Sequence, residues 1–382
     1  MSDLIGRGRC RLTTRSITRA KALTLQNEEK SWPEIDFLLR ETPKLCLRTA
    51  GPSYHIQFLP EVISLMLRRK LRPGMAQLRP LVRASKASVL VATDGGHREH
   101  LKAISELCPE IPLFVIAHGS VRADVLCRTG ALPRLNGGRF LVWGQADINC
   151  YTSFFGQDQS MLAVGSLRNS FYWRNFREGR PIPSKKFPIS LVSQFADSSE
   201  EDENRPNRTR VLRNLKIHLS RFCREQGLPV RILLRPGLSG EVAAGARQRE
   251  VRHYLKVFSG VEVSFSDPTR QYETYFESDQ SEVTVGVPTG ALIESFARGN
   301  KVFMFAQNTD TGDYFGSPVT GAFLRHEPTY EQFKSQLQHL LEQNQSDFAD
   351  SFRSEREFVV ANACSDAGIS TVETELKRFL QL

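Results

Sequence analysis

The chain has 382 residues, 40% of them hydrophobic and 24% charged, which is more than one ordinary core takes up, since single cores stop growing near ~250–300 residues. That balance excludes wholesale disorder, and no apolar run approaches the ~20 residues a membrane-spanning helix requires. The net charge of +9 points to anionic partners (nucleotides, phosphorylated lipids, an acidic membrane face or nucleic acid) without choosing among them.

Residues 1–42 read as a basic amino-terminal segment. Arg7, Arg9, Arg11, Arg15, Arg19 and Lys21 are opposed only by Asp3 in the first 25 residues. This composition fits a transit segment, a disordered arm or a membrane-surface arm, and it lacks the apolar centre of a secretory signal. From Pro43 the pattern alternates short apolar runs with helical stretches, which predicts β-α units and parallel sheets. Helices are expected at 58–68 and 75–86, then strands at 88–96 (SVLVATDGG), 111–120 (IPLFVIAHGS), 138–144 (GRFLVWG) and 161–166 (MLAVGS), with a helix at 98–107 between the first two. These make up a first domain over 43–172. Residues 173–186, basic and Pro-rich, read as a linker.

The strand pattern restarts at 189–195 (ISLVSQF) and continues at 230–236 (VRILLRP), 261–266 (VEVSFS), 282–287 (EVTVGV) and 301–306 (KVFMFA). An acidic loop at 198–207 precedes a helix at 209–226, and helical pattern runs from 329 to the end with a break near 362–368. The second domain spans 187–345, and residues 346–382 are helices expected to brace the junction. The fold class is therefore α/β, with two Rossmann-like domains facing across a cleft. The seven cysteines are scattered, odd in number and never in C-x-x-C spacing, as suits reduced thiols in a cytoplasmic protein; most fit the role of small buried hydrophobes.

The strongest local pattern is VTVGVPTGALIESFARGNKVFMF (283–305), a buried strand, a turn, a short helix and another buried strand. Free amides at the helix start, at Thr289, Gly290 and Ala291, together with the positive end of its dipole, suit a nucleotide diphosphate. Glu294, one turn into the helix, can accept hydrogen bonds from ribose hydroxyls, and Gly299 closes the helix. The same residues fit an ordinary β-α-β unit with a solvated acid. His118 and Gly119 end a strand where open α/β sheets place ligands, so His118 is positioned to take a proton from a hydroxyl; it fits a plain loop cap equally well. Arg235 ends another strand as a phosphate contact or a surface residue before a turn. Asp94 is either turn chemistry or an acid lining the substrate, and Gly165 and Ser166 are candidate cleft-lining residues beside Gly119.

His97 and His100 lack a third ligand, so no metal is expected, and no cofactor is called for beyond the donor substrate. P-loop, G-x-G-x-x-G and G-x-S-x-G patterns are absent, which disfavours ATPases, dehydrogenases and serine hydrolases. The absence of interleaved basic and aromatic stripes disfavours nucleic acid.

Taken in order, His118-Gly119, FLVWG, LAVGSL, and Thr289, Glu294, Gly299 with Lys301-Val302 resemble the GT-B nucleotide-sugar transferases of bacterial surface-polysaccharide and capsule biosynthesis, especially the CDP-glycerol glycerophosphotransferase-like proteins. The resemblance implies a metal-independent transferase that takes a nucleotide-sugar or CDP-alcohol donor and a glycan or lipid-linked acceptor, placed in the cytoplasm and peripherally at the inner membrane face. It implies that His118, or a neighbouring acid such as Asp94, is the catalytic group, that Arg235 and the turn Thr289–Ala291 hold the donor phosphates, and that Glu294 holds the ribose. The chain departs from the pattern at Gly290, where a second hydroxyl is usual, at Arg235-Pro236-Gly237, where His-Pro is usual, and at Leu167, where Pro is usual. A nucleotide-sugar epimerase or hydrolase of the same fold, and a non-enzymatic polyanion-binding protein, are the competing readings.

Overall fold

The computed structural model describes residues 11–13, 19–26, 33–48, 53–55, 58–69, 73–94, 98–120, 132–156, 160–181, 183–195, 206–234, 241–306 and 324–380. The chain forms two compact units: Met1–Arg168 with Ala367–Leu382, and Asn169–Asp366. Each is an α/β unit built on a six-stranded, all-parallel sheet.

In the first unit, β1 (Arg11–Thr13) is set apart, pairing in parallel with β4 (Ser53–His55). The main sheet uses β2 (Ala22–Gln26), β3 (Lys44–Arg48), β5 (Val89–Thr93), β6 (Leu113–Ile116), β7 (Arg139–Val142) and β8 (Met161–Ala163). Its spatial order is β3-β2-β5-β6-β7-β8. Every residue of β5 and β6 is buried. This is the physical reason both read as unbroken apolar runs: helices cover both faces of a parallel sheet, so no position alternates toward water. Strand β2 lies within the stretch read from sequence as a basic amino-terminal segment. Its Ala22, Leu23 and Leu25 are at most 1% exposed, and it sits between β3 and β5. Five residues between Arg19 and Lys21 on one side and Glu28, Glu29 and Lys30 on the other were too short a run to stand out from the charge around them.

The second unit comprises β9 (Phe187–Val192), β10 (Val230–Leu233), β11 (Val263–Phe265), β12 (Ser281–Gly286), β13 (Val302–Ala306) and β14 (Leu324–His326). Its order is β11-β10-β9-β12-β13-β14. The chain winds outward from β9 through β10 to β11, returns to β12 on the other side of β9, and winds outward again. That reversal between β9 and β12 is a topological switch point, and the crevice beyond the carboxyl ends of two such strands is where doubly wound sheets bind ligands.

Residues 173–186 are not a free connector. The helix Leu167–Tyr172 continues as a π-helical turn, Trp173–Arg177, and Tyr172 packs with Tyr272 and Tyr275 in a buried cluster joined by Phe171 and Phe176. The Arg177 side chain lies 3.5 Å from Asp279 and is 7% exposed. Aromatic residues and a charge that look solvated in sequence are taken up by one segment of this unit. At the other end, Gln345–Ser351 and Arg353–Val359 belong to the second unit, while the helix Ala367–Leu380 belongs to the first. There Phe379 meets Phe114 of β6 edge-on, with ring centroids 4.7 Å apart, and Glu375 lies 3.5 Å from Arg139. Among the described residues no helix is long and apolar enough to cross a membrane.

Candidate functional site

In the second unit the switch-point crevice is bordered by the residues after β9 and the turn after β12. Thr289, extended, caps the helix Gly290–Ala297, and its hydroxyl accepts the Leu292 amide at 3.4 Å. The first amides of a helix have no intrahelical acceptor, and the dipole adds partial positive charge there. Thr289, Gly290 and Ala291 are half-exposed, whereas Leu292 through Ala297 are buried. The open part of this helix is therefore its amide-bearing end. Gly286 permits the close fit behind it: a Cβ there would stand 3.2 Å from Leu292 and 3.4 Å from Val192 at the end of β9.

Glu294 is 3% exposed, and its Oε2 accepts the Tyr275 hydroxyl at 2.6 Å. The carboxylate predicted to face a ribose is thus held in a fixed orientation by a tyrosine that sequence reading passed over. The helix ends as predicted at Gly299, with φ +90°. The Gly299 amide donates to Phe296 O and the Asn300 amide to Ser295 O, the paired bonds of a Schellman cap. Across the switch point, Ser193 donates to Glu250, contacts the Tyr254 hydroxyl at 3.0 Å and accepts the Phe195 amide. Burial pushes the Tyr254 phenol up to about 12. This anchoring fixes the path of the chain after β9 where it borders the crevice. Arg235 lies outside the described residues.

Beneath this helix is a buried polar network that sequence reading did not foresee. Asp279 Oδ1 accepts Arg298 Nε at 2.9 Å and Asn300 Nδ2 at 2.7 Å, while its Oδ2 accepts the Tyr172 hydroxyl at 2.9 Å. The Arg298 and Asp279 side chains are 2% and 5% exposed. The guanidinium also donates to Asn169 and Ser278 and lies 4.9 Å from the Tyr275 ring centroid. Burial, with the charge of Asp279, drives the Tyr172 phenol above its ordinary range. The three buried rings thus join Asp279 to the tyrosine that holds Glu294.

In the first unit, Asp94 and His118 follow the adjacent strands β5 and β6. Their relation is direct: the His118 backbone amide donates to Asp94 Oδ1 at 2.6 Å, and the Asp94 amide donates to Ile116 O at 3.1 Å. Burial raises the Asp94 carboxyl above the ordinary range, against the opposing His118 amide and Arg98. Arg98 stands 4.0 Å away. Asp94 also ends the strand beside β2, at this sheet's own reversal of winding. His118 is exposed, and a Cβ on Gly119 would meet nothing within 4 Å, so the approach to the imidazole is open on that side. Asp147, fully buried, accepts the Ser120 hydroxyl and the Trp143 amide, each at 2.9 Å. It thereby ties the residues after His118 to the end of β7. Its position three residues after Gly144, in the first turn of a helix, is the pattern of a side chain reaching back over a helix start, and it was legible in sequence. Gly165 adopts φ +87° after β8 and Ser166 is buried. Among the described residues no group of three or more His, Cys, Asp or Glu is arranged to hold a metal ion.

Two doubly wound, all-parallel units are the architecture of the GT-B fold, and solved structures of that fold match over nearly the whole chain. S. aureus MnaA, in a co-structure with UDP, is 11% identical over 95% of this chain and 97% of its own, with a TM-score of 0.57. The UDP-GlcNAc 2-epimerase from Neisseria meningitidis bound to UDP-GlcNAc is 13% identical over 93% and 99%, with a TM-score of 0.55. The wall teichoic acid polymerase TagF, soaked with CDPG, is 13% identical over 94% and 89%, with a TM-score of 0.51. No family model and no curated protein sequence matches the chain.

Proposed function

We propose that this chain is a GT-B transferase that moves a sugar or sugar-alcohol phosphate from a nucleotide-activated donor to a hydroxyl acceptor in surface-carbohydrate biosynthesis. The observation that carries the reading is the Thr289-capped helix at the β9/β12 switch point, with Glu294 fixed one turn behind its open amides. The helix amides and dipole bind the donor's phosphates and stabilise the charge on the departing nucleotide, so the step requires no metal. Glu294, oriented by Tyr275, receives the ribose hydroxyls, and Arg235 adds a phosphate contact. In the first unit, His118 takes the proton of the acceptor hydroxyl as it attacks, and Asp94 fixes the His118 backbone. Gly119, Gly165 and Ser166 line the acceptor side. The setting is cytoplasmic.

Solved structures of this fold in complex with UDP, UDP-GlcNAc and CDPG support a nucleotide-bearing ligand. They also favour a second reading, a nucleotide-sugar epimerase, because proteins of that description stand among them. The test is a thermal-shift series with CMP, CDP, UDP, GDP and dTDP on the wild type and on Glu294→Ala. One nucleotide is expected to stabilise the protein selectively, by about 2.7 kcal/mol at roughly a hundredfold excess over Kd, with the effect lost in the variant. Indifference to all five sinks both readings. Conversion of the matching nucleotide-sugar with no acceptor present selects the epimerase.

A further inference from the structure

A cavity of about 720 Å³ opens within the first unit, between the helix Arg98–Leu107 and the segment that leads into β7. That volume falls within the ~300–1,000 Å³ of small-molecule sites, and no step of the proposed reaction uses it. The wall formed by the segment before β7 is held in place along its length. The Leu132 amide donates to the Tyr151 hydroxyl at 2.6 Å, and the Ser105 hydroxyl donates to Arg134 O at 2.7 Å. Asn136, in the left-handed region at φ +52°, turns its side-chain amide onto the carbonyls of Ser105, Cys108 and Ile111. The cavity is therefore built before any ligand enters it.

Helix geometry divides the chemistry of the lining. Arg98, Lys102 and Ser105, at i, i+4 and i+7, share one stripe, and the bond from Ser105 turns that stripe toward the wall. Glu99 and Glu106 lie on the next stripe, roughly 80° further round the helix. Arg134 adds a cation from the wall itself. Lys102 and Arg134 are exposed, and neither side chain makes an ion pair or hydrogen bond among the described residues. Cations without carboxylate partners call for an anionic group, while the second stripe restricts what carries it. Two carboxylates repel a polyanion such as nucleic acid and accept hydrogen bonds from hydroxyls. An aliphatic chain would use neither stripe. A sugar bearing one phosphate or one carboxylate uses both, and its C–H edges meet the apolar surface of Leu132 and Pro133.

We propose that this cavity is a binding site for an acidic sugar: Arg98, Lys102 and Arg134 hold its single phosphate or carboxylate, and Glu99 and Glu106 accept its hydroxyls. Arg98 also stands 4.0 Å from Asp94, so one end of the site adjoins the ends of β5 and β6. The assignment rests on the cavity alone and stands or falls separately from the donor reading. The test is calorimetric titration of the full-length protein with glucose 6-phosphate, glucuronate, glucose and inorganic phosphate. At least one of the two acidic sugars is expected to bind, about tenfold or more tighter than glucose and than inorganic phosphate, and the pair tells a phosphate ester from a carboxylate. Lys102→Gln combined with Arg134→Gln is expected to weaken that binding about tenfold or more at an unchanged melting temperature. Glu106→Ala is expected to act with opposite signs, weakening the acidic sugar and strengthening inorganic phosphate, because it removes a hydroxyl acceptor and a like charge together. Glu294→Ala, in the second unit, is expected to change neither. The proposal is overturned if neither acidic sugar binds, if glucose or inorganic phosphate binds as tightly, or if the Lys102 and Arg134 substitutions leave binding intact. It is equally overturned if Glu106→Ala moves both ligands in the same direction, or if Glu294→Ala abolishes binding, which would put the sugar at the donor turn.

Discussion

Asp94 shows how one carboxylate can fix backbone geometry and carry a shifted protonation equilibrium. Its oxygen holds the His118 amide at 2.6 Å, and burial raises its pKa in the folded protein. A carboxyl whose folded pKa lies above its unfolded value binds more protons when folded, so this group's contribution to stability falls as pH rises from the unfolded value through the folded one. Asp94→Asn keeps an oxygen for the His118 amide and removes the charge. The variant is expected to melt at or above the wild type at neutral pH, with the difference closing below about pH 4. A melting deficit that persists at low pH would assign Asp94 a purely structural role. Asp279 gives the opposite outcome. Replacing it by Ala leaves the 2%-exposed Arg298 side chain without its carboxylate, and breaking a buried pair from one side costs about 3–5 kcal/mol. Denaturant unfolding measures this directly, and a loss under ~1 kcal/mol would mean that water reaches the site.

At the scale of elements, the helix Gly290–Ala297 is held from several sides. Thr289 caps its start and Gly299 its end. Just beyond, Lys301 is buried and donates to the carbonyl of Gln343 at 2.7 Å, past the last turn of the helix Tyr330–Glu342. A cation at a helix carboxyl end is favourable, and when buried it cannot be exchanged for water. Thr289→Ala is expected to cost about 0.5–1 kcal/mol, the low end for a cap because its bond is long, and to weaken nucleotide binding more than it lowers the melting temperature. Lys301→Ala is expected to lower stability more than Thr289→Ala and to leave the ratio of nucleotide affinities untouched. If both variants moved affinity and stability in the same proportion, the Thr289 turn would have no ligand role of its own.

At the scale of the molecule, the chain order and the unit order differ. The last helix, Ala367–Leu380, belongs to the unit in which the chain begins, where Phe379 packs on Phe114 and Glu373 lies 3.3 Å from Arg40. Removal of residues 367–382 is expected to destabilise the first unit selectively: calorimetry should show its transition lowered and that of Asn169–Asp366 retained. Simultaneous loss of both transitions would mean that the units fold as a single cooperative block.

Much of the architecture was legible in order along the chain. Parallel strands buried on both faces, such as LFVI at 113–116 and VFMFA at 302–306, announce themselves as apolar runs, and a helix bounded by Thr289 and Gly299 carries its own start and stop chemistry. What stayed hidden was short or polar. Strand β2 was masked by the basic residues before it and the charged residues after it, and residues 173–177 looked like the start of a linker because their partners, among them Tyr272 and Asp279, lie a hundred residues away. The candidate residues Asp94 and His118 were each visible as strand ends, but the bond between them was not. Local backbone preference and apolar periodicity act over a few residues, so the amino-acid order alone determined the strands, the helix caps and the α/β class. Pairing a buried charge, and choosing which sheet a terminal helix covers, depends on groups brought together only by folding. The Asp279–Arg298 network, the Tyr275–Glu294 bond and the return of the last helix were therefore decided by the tertiary structure.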